Sequence, residues 1–268
     1  MFINRLSESK SKTAKQCFLK YKYKYHDRYK EDVGEADHLA FGSFIHKVFE
    51  LGYKDASFDS LMRVASNERK NYKFSEERML TIAKCIRNFL IFNKPLGETL
   101  CTEYVYEVNE ANDICLNGVI DRVVRGTNGG LLIIDYKTSK TESTKDELIA
   151  DDQLMGYVYA CSKKFDVNIN NITASHYYPV TNNFVPVRFN SLQIAKYKES
   201  KIQEVWQIRK MKIEECKAKK NKFCNWCGYK AICPIYESKE VIASRIDEKR
   251  AASAKEAEEK KAGNKPIS

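Results

Sequence analysis

Two aspartates and a lysine, close together in the chain, set the chemical question. The segment from Gly118 to Lys137 reads G-V-I-D-R-V-V-R-G-T-N-G-G-L-L-I-I-D-Y-K. Asp121 and Asp135 offer the hard oxygen donors that Mg²⁺ and Mn²⁺ prefer, and Lys137 adds a cation beside them. Val119, Ile120, Val123 and Val124 make one apolar arm, and the run Leu131 to Ile134 makes the other. Thr127-Asn128-Gly129-Gly130 between them tolerates positive φ, so the pattern predicts a β-hairpin. Side chains alternate along a strand, which puts Asp135 and Lys137 on one face and Tyr136 on the other. Taken alone, this is most simply a surface salt bridge at a hairpin end.

Other residues offer partners for the hairpin. Residues 39–52 read as a helix starting near Gly42-Ser43 and ending at Gly52, with His46 inside its apolar stretch and Glu50 one turn later. A lone histidine there is more often a core residue than a ligand. Residues 76–93 form a second helix, stopped by Pro95 and Gly97. Residues 102–108 read as a strand, from which Glu103 could reach the hairpin, although an exposed strand carboxylate is the simpler account. Residues 145–164 return to helical spacing, and Gln153 and Tyr157, at i and i+4, share a face that can hold a nucleic-acid backbone or a scissile phosphate and can equally be ordinary surface. Two further strands (172–180 and 184–189) and a long basic helix (191–215) follow. The order of elements predicts an α/β fold with a mixed central sheet.

Cysteine supplies a second chemistry. Cys224, Cys227 and Cys233 form a C-x2-C-x5-C array. Both zinc and an iron–sulfur cluster take four thiolates, and the spacing does not separate them. Cys216 and Cys17 are both candidates for the fourth. Cys85, Cys101, Cys115 and Cys161 fall inside predicted elements and read as core.

With 43% apolar residues the chain supports a real core, and no apolar run is long enough to span a membrane. The N-terminus lacks a signal-peptide h-region, so a cytoplasmic location is expected, with the cysteines reduced. The net charge of +10 is concentrated: residues 1–30 hold nine Lys or Arg against two acids, and residues 196–223 hold ten against four. Such segments suit a polyanionic partner. Tyr21-Lys22-Tyr23-Lys24-Tyr25 alternates rings and amines, which fits single-stranded nucleic acid or a half-buried strand. The last thirty residues lack an apolar stripe and read as a solvated helix or disordered tail.

Together these pieces resemble the RecB-type branch of the PD-(D/E)XK nuclease superfamily. Its motifs are matched in order by Gly42 to His46 (G-x-x-x-H), Gly118 to Arg122 (G-x-x-D-R), Asp135 to Thr138 (D-Y-K-T) and Gln153 to Tyr157 (Q-x-x-x-Y). The early Cys17 with the late C-x2-C-x5-C is similar to the iron–sulfur subgroup found in CRISPR-adaptation exonucleases and AddAB-type nuclease domains. The resemblance implies a restriction-endonuclease-like core with a mixed sheet flanked by helices, plus a cysteine-ligated cluster subdomain. It implies a single nuclease domain over 1–237, with its core at about 40–190 and cluster-binding parts at about 1–30 and 196–237, followed by a charged tail over 238–268. By the same analogy His46, Asp121, Asp135 and the Tyr136 carbonyl bind Mg²⁺ or Mn²⁺, and Lys137 works on the attacking water and the phosphate. Gln153 and Tyr157 orient the strand. Cys17, Cys224, Cys227 and Cys233 hold a [4Fe–4S] cluster, with Zn²⁺ as the alternative. The implied activity is hydrolysis of DNA, as an exonuclease on single strands or ends in recombination, repair or phage DNA metabolism. A non-catalytic DNA-binding adaptor on the same fold is the competing reading. No G-x-x-x-x-G-K-[ST] loop is present, so a helicase or recombination partner would be a separate chain.

Overall fold

The structure is a computed structural model that describes residues 3–32, 37–54, 57–126 and 129–263, the stretch 252–263 by its backbone alone. The chain divides into two compact units, Met1–Gly34 with Gln203–Ser268, and Glu35–Ile202. The first unit opens with a two-residue strand β1 (Arg5–Leu6) and helices α1 (Glu8–Gln16) and α2 (Phe18–Tyr21), followed by a π-helical turn at Lys22–His26. Ser7 caps α1 by accepting from the Lys10 amide. The alternating Tyr–Lys stretch is therefore helical rather than extended. Its rings serve the core: Tyr21 and Tyr23 are buried, and Tyr23 packs with Tyr29 and Tyr229.

Glu35–Ile202 begins with three helices, α3 (Asp37–Gly52), α4 (Phe58–Glu68) and α5 (Glu76–Asn93). Helix α3 starts five residues before Gly42, and α4, capped by Ser57, has no counterpart in the sequence reading. Five strands follow: β2 (Glu98–Glu110), β3 (Ile114–Arg125), β4 (Leu131–Tyr136), β5 (Ile172–Tyr178) and β6 (Asn183–Val187). They pair in the order β2-β3-β4-β5-β6, antiparallel except for the parallel β4–β5 pair. The sheet is therefore mixed, as expected. Thr127 and Asn128 of the expected turn lie outside the described residues, and Gly129 adopts φ +77°.

A parallel pair needs a long crossover, supplied here by α6 (Lys145–Ile149) and α7 (Asp152–Phe165). The sequence reading had one helix over this span. Two caps divide it: Thr144 and Glu147 form a capping box for α6, and Asp151 then accepts from the Gln153 and Leu154 amides to start α7. Helices α3 to α5 cover one face of the sheet, where Phe44, Ile45, Val48, Phe49 and Phe89 pack with Ile134, Tyr136 and Tyr177. Helix α7 lies on the other face, against β2, β3 and β5.

Helix α8 (Ser191–Lys210) leads back into the first unit, and α9 (Lys239–Gly263) closes the described chain. Tyr23 donates to the Ile232 carbonyl and Tyr229 to the Tyr29 carbonyl, while Lys249 pairs with Asp32. These bonds tie residues near the start of the chain to residues near its end. Ile242 and Ile246 of α9 pack beside the Tyr23–Tyr29–Tyr229 cluster, a contact that the sequence of the tail did not announce. Among the described residues, no helix is long and apolar enough to cross a membrane.

Candidate active site

The two central carboxylates are held by strand geometry. Five consecutive residues of β3, Ile120 to Val124, are buried, as expected for a central strand covered on both faces. Asp121 and Asp135 keep only 8% and 2% of their surface exposed. The Asp121 Oδ2 atom accepts a 2.7 Å hydrogen bond from the Tyr136 amide, which locks the two strands in register at this point. Asp135 and Lys137 do share a face: Lys137 Nζ lies 2.5 Å from Asp135 Oδ2. Tyr136 points the other way, into the core against Phe49 and Phe89.

Two other elements bring the remaining motif residues to this point. On α3, Gly42 and His46 are one turn apart. A Cβ at Gly42 would sit 3.2 Å from the Thr138 hydroxyl, so glycine lets the helix approach the end of β4. His46 then donates from Nε2 to the Tyr136 carbonyl at 2.9 Å, with Nδ1 3.4 Å from Asp121 Oδ1. On α7, the cap at Asp151 sets the first turn, and Gln153 and Tyr157 both reach Asp135 Oδ1 at 3.4 Å while Gln153 donates to the Tyr157 hydroxyl at 2.6 Å. Gly118 and Gly156 make room for this face: a Cβ at either would meet the Tyr106 side chain, and Tyr106 packs edge-on to Tyr157. The motif glycines are thus clearances between the elements that carry the polar residues.

Two more residues join the site: Glu103, which the sequence reading allowed to reach it while favouring an exposed position, and His176, which the sequence reading did not single out. Glu103 is half-buried rather than an exposed strand carboxylate, and its oxygen lies 4.0 Å from His46 Nδ1. Its φ is +46° in mid-strand, a left-handed conformation that costs a non-glycine residue energy and is found disproportionately at functional sites. His176 sits opposite Asp135 in the parallel β4–β5 register, buried, with Nε2 3.6 Å from Asp135 Oδ2. Its Nδ1 lies 3.2 Å from the Tyr178 hydroxyl, which accepts from the Ser143 amide. A histidine on a predicted strand next to the acid-bearing strand was the available signal, but it required the strand order. Glu50 pairs with Lys47 instead of assisting His46.

The electrostatics follow from crowding carboxylates in a buried place. Burial, opposed by Lys137 and reinforced by the charge of Asp121, pushes the Asp135 carboxyl up to about 6. Burial and Asp121 also raise Glu103. Burial alone would lower His46, but its hydrogen bond to Asp121 and the charges of Asp121, Asp135 and Glu103 raise it to about 8. Lys137, likewise opposed by burial, is raised by Asp135 and stays protonated. Two cations thus offset part of the charge of three neighbouring carboxylates. The donor atoms of His46, Glu103 and Asp121 all lie within 4.8 Å of one another. His46, Glu103, Tyr136 and Lys137 line an open cavity of about 870 Å³, together with Lys47, Glu50, Arg78 and Lys140.

The cysteines separate into two classes. Cys17, Cys224, Cys227 and Cys233 line one small cavity within the first unit, and Cys216 is not among its lining residues. Cys85, Cys115 and Cys161 are buried and Cys101 is partly buried, as core residues should be.

Known proteins were compared with the chain. It is 27% identical over 180 residues to one of the subunits of the ATP-dependent helicase/deoxyribonuclease of Streptococcus agalactiae, covering 59% of this chain and 17% of that protein. The counterpart from Streptococcus pyogenes is 24% identical over 189 residues, covering 62% and 18%. The chain therefore spans less than a fifth of the length of these relatives. A crystal structure from Eubacterium rectale, provisionally called an exonuclease, superposes with a TM-score of 0.52 at 14% identity, over 84% of this chain and 87% of that one, and so shares the fold. A family model matches residues 5–234, which take in both the site and the four clustered cysteines, and by that match the chain belongs to the PD-(D/E)XK nuclease superfamily.

Proposed function

We propose that this chain is a metal-dependent DNA nuclease that hydrolyses phosphodiester bonds, working as an exonuclease on single-stranded DNA or DNA ends. The observation that carries the reading is the convergence of His46, Asp121, Asp135 and Lys137 from three separate elements, with His46 and Lys137 opening onto a cavity that Lys47, Arg78 and Lys140 also line. DNA as substrate, and a separate helicase as partner, are drawn from the helicase/deoxyribonuclease relatives.

The residues fit a hard divalent cation. His46, Glu103 and Asp121 present one nitrogen and two carboxylates within 4.8 Å, the Tyr136 carbonyl adjoins His46, and the charge of Asp135 acts on the same imidazole. Carboxylate-rich sets suit Mg²⁺ and Mn²⁺, and the imidazole favours Mn²⁺. When bound, the ion would supply positive charge beside the scissile phosphate and make a nearby water more acidic. The chain's own groups do the rest. Lys137, held protonated, donates to the attacking water and stabilises charge on the phosphate in the transition state. Gln153 and Tyr157 fix Asp135 and present their amide and hydroxyl to the strand. His176, near the same Asp135 oxygen that Lys137 contacts, helps to fix that carboxylate.

Cys17, Cys224, Cys227 and Cys233 would hold a [4Fe–4S] cluster. The four line one small cavity, and the Cys233 thiol is raised by burial and by the neighbouring Cys17, Cys227 and Cys224, a repulsion that a cationic core would relieve.

The test is release of label from end-labelled single-stranded DNA with Mn²⁺, Mg²⁺ or EDTA. Wild type should cleave only with a divalent ion, and Asp121→Asn should lose about 10²-fold or more. Tight DNA binding with no cleavage under any metal would establish the non-catalytic adaptor instead.

A further inference from the structure

Of the alternating tyrosines near the N-terminus, Tyr21 and Tyr23 are taken up by the core, and a second basic–aromatic segment is more exposed. From Lys217 to Tyr236 the chain carries five lysines and no acidic residue, and Lys217, Lys219, Lys220, Lys222 and Lys230 are all exposed. Within it, Trp226 is 76% exposed and Phe223 50%, while Tyr229 three residues on is buried in the tyrosine cluster. The core thus takes Tyr229, Tyr236 at the end of the segment is 37% exposed, and Trp226 and Phe223 are left most in water. Neither ring dangles from a loose end. The Trp226 amide bonds to the Phe223 carbonyl at 3.1 Å and the Cys227 amide to the Cys224 carbonyl at 3.3 Å, so a tight turn presents both rings. Lys222 Nζ lies 5.3 Å above the Phe223 ring.

An indole held in water by the backbone forgoes burial that its size makes favourable, so a ligand that covers it gains that burial. The unbroken positive charge around it selects a polyanion. A polyanion with flat apolar faces is a nucleic acid, and only an unpaired strand offers those faces to a ring. We propose that the turn Phe223–Cys227 is a stacking platform for single-stranded nucleic acid, with Trp226 and Phe223 against bases and Lys219, Lys220 and Lys222 on the phosphates. This rests on the nuclease reading above and assigns part of its strand-binding surface to the segment between the clustered cysteines.

The experiment uses the full chain in EDTA, so that binding is read without cleavage. Anisotropy of a labelled oligothymidylate should show Trp226→Ala weakened about 5- to 100-fold, the range expected for loss of one stacked base, with Trp226→Phe close to wild type. The salt dependence separates the two kinds of contact. Trp226→Ala should keep the wild-type slope, whereas Lys220→Ala/Lys222→Ala should flatten it by about 1.4, at about 0.7 per phosphate contact. Ultraviolet crosslinking of an iododeoxyuridine-substituted strand should map to Trp226 or Phe223, and this readout needs no variant to fold. Alanine affinity within about twofold of wild type, with crosslinks outside residues 217–236, would overturn the platform. If wild type still cleaves DNA in that case, the nuclease reading stands. If wild type neither binds nor cleaves any strand, both fall.

Discussion

At the level of single residues, the site is a set of like charges held together by two protonated bases. His46 is the more revealing of the two. Its Nε2 proton is given to the Tyr136 carbonyl and its ring faces Asp121, so in the metal-free protein the imidazolium stands in for a cation. Because its pKa rises from 6.5 to about 8 on folding, the protonated ring stabilises the fold fully below pH 6.5, and that contribution is lost as pH rises through 8. Asp135 acts in a different window: its carboxyl moves from 3.8 to about 6, so the cost of ionising it in the fold sets in between those values and is complete above them. Metal-free protein is therefore expected to lose about 1 to 2 kcal/mol of stability between pH 6.5 and 8.5 from His46. Mn²⁺ must displace the same proton, so the stabilisation it adds should grow over that window. Thermal melts with and without Mn²⁺ across pH 6 to 9 measure both trends, and a metal increment independent of pH would exclude His46 as a ligand.

At the level of elements, the glycines that give the site its clearances matter as much as the motif acids. Gly156 stands between Gln153 and Tyr157 on α7, where a Cβ would come within 2.6 Å of the Tyr197 hydroxyl and 3.2 Å of the Tyr106 hydroxyl. Gly156→Ala should cost about 1 to 3 kcal/mol by overpacking. It should also reduce cleavage by displacing Gln153 and Tyr157, with metal binding nearly intact. Chemical denaturation beside the cleavage assay checks this, and an unchanged protein would mean that α7 adjusts freely. Much of this level was legible in the sequence. The hairpin showed itself by alternation around Asn-Gly-Gly, and α5 by unbroken apolar spacing over 76–93. Local signals failed where a tertiary partner decides. The Asp151 cap that splits α6 from α7 reads as one more acid in a helical run. The reversed backbone at Glu103 leaves no mark on an ordinary strand pattern. His176 acquires meaning only once β5 lies beside β4 in parallel, a pairing the sequence does not state. Tyr21 to Tyr25 imitates a strand because both Tyr21 and Tyr23 are core residues of a helical turn.

At the level of the whole molecule, the chain divides its labour between its two units. Glu35–Ile202 holds the carboxylates, His46 and Lys137. Met1–Gly34 with Gln203–Ser268 holds the four clustered cysteines and most of the excess positive charge. Ligation by Cys17 together with Cys224, Cys227 and Cys233 would close a loop of roughly two hundred residues, and the chain-entropy cost of such closure falls on the unfolded state. Cys224→Ser is accordingly expected to lower the melting temperature by several degrees and to abolish visible absorbance near 400 nm in anaerobically prepared protein. Colourless wild type with stoichiometric zinc would replace the cluster by a zinc site and leave the active-site account untouched.

The central claim, that the D-Y-K hairpin cleaves DNA through Lys137, is tested most directly by single-turnover cleavage of end-labelled single-stranded DNA in Mn²⁺. Wild type and Lys137→Ala are compared, with Mn²⁺ binding measured on the same samples. The account predicts that Lys137→Ala still binds Mn²⁺ but cleaves about 10²- to 10³-fold more slowly. Equal cleavage rates in the two proteins, or no cleavage by wild type that has bound both metal and DNA, would contradict it.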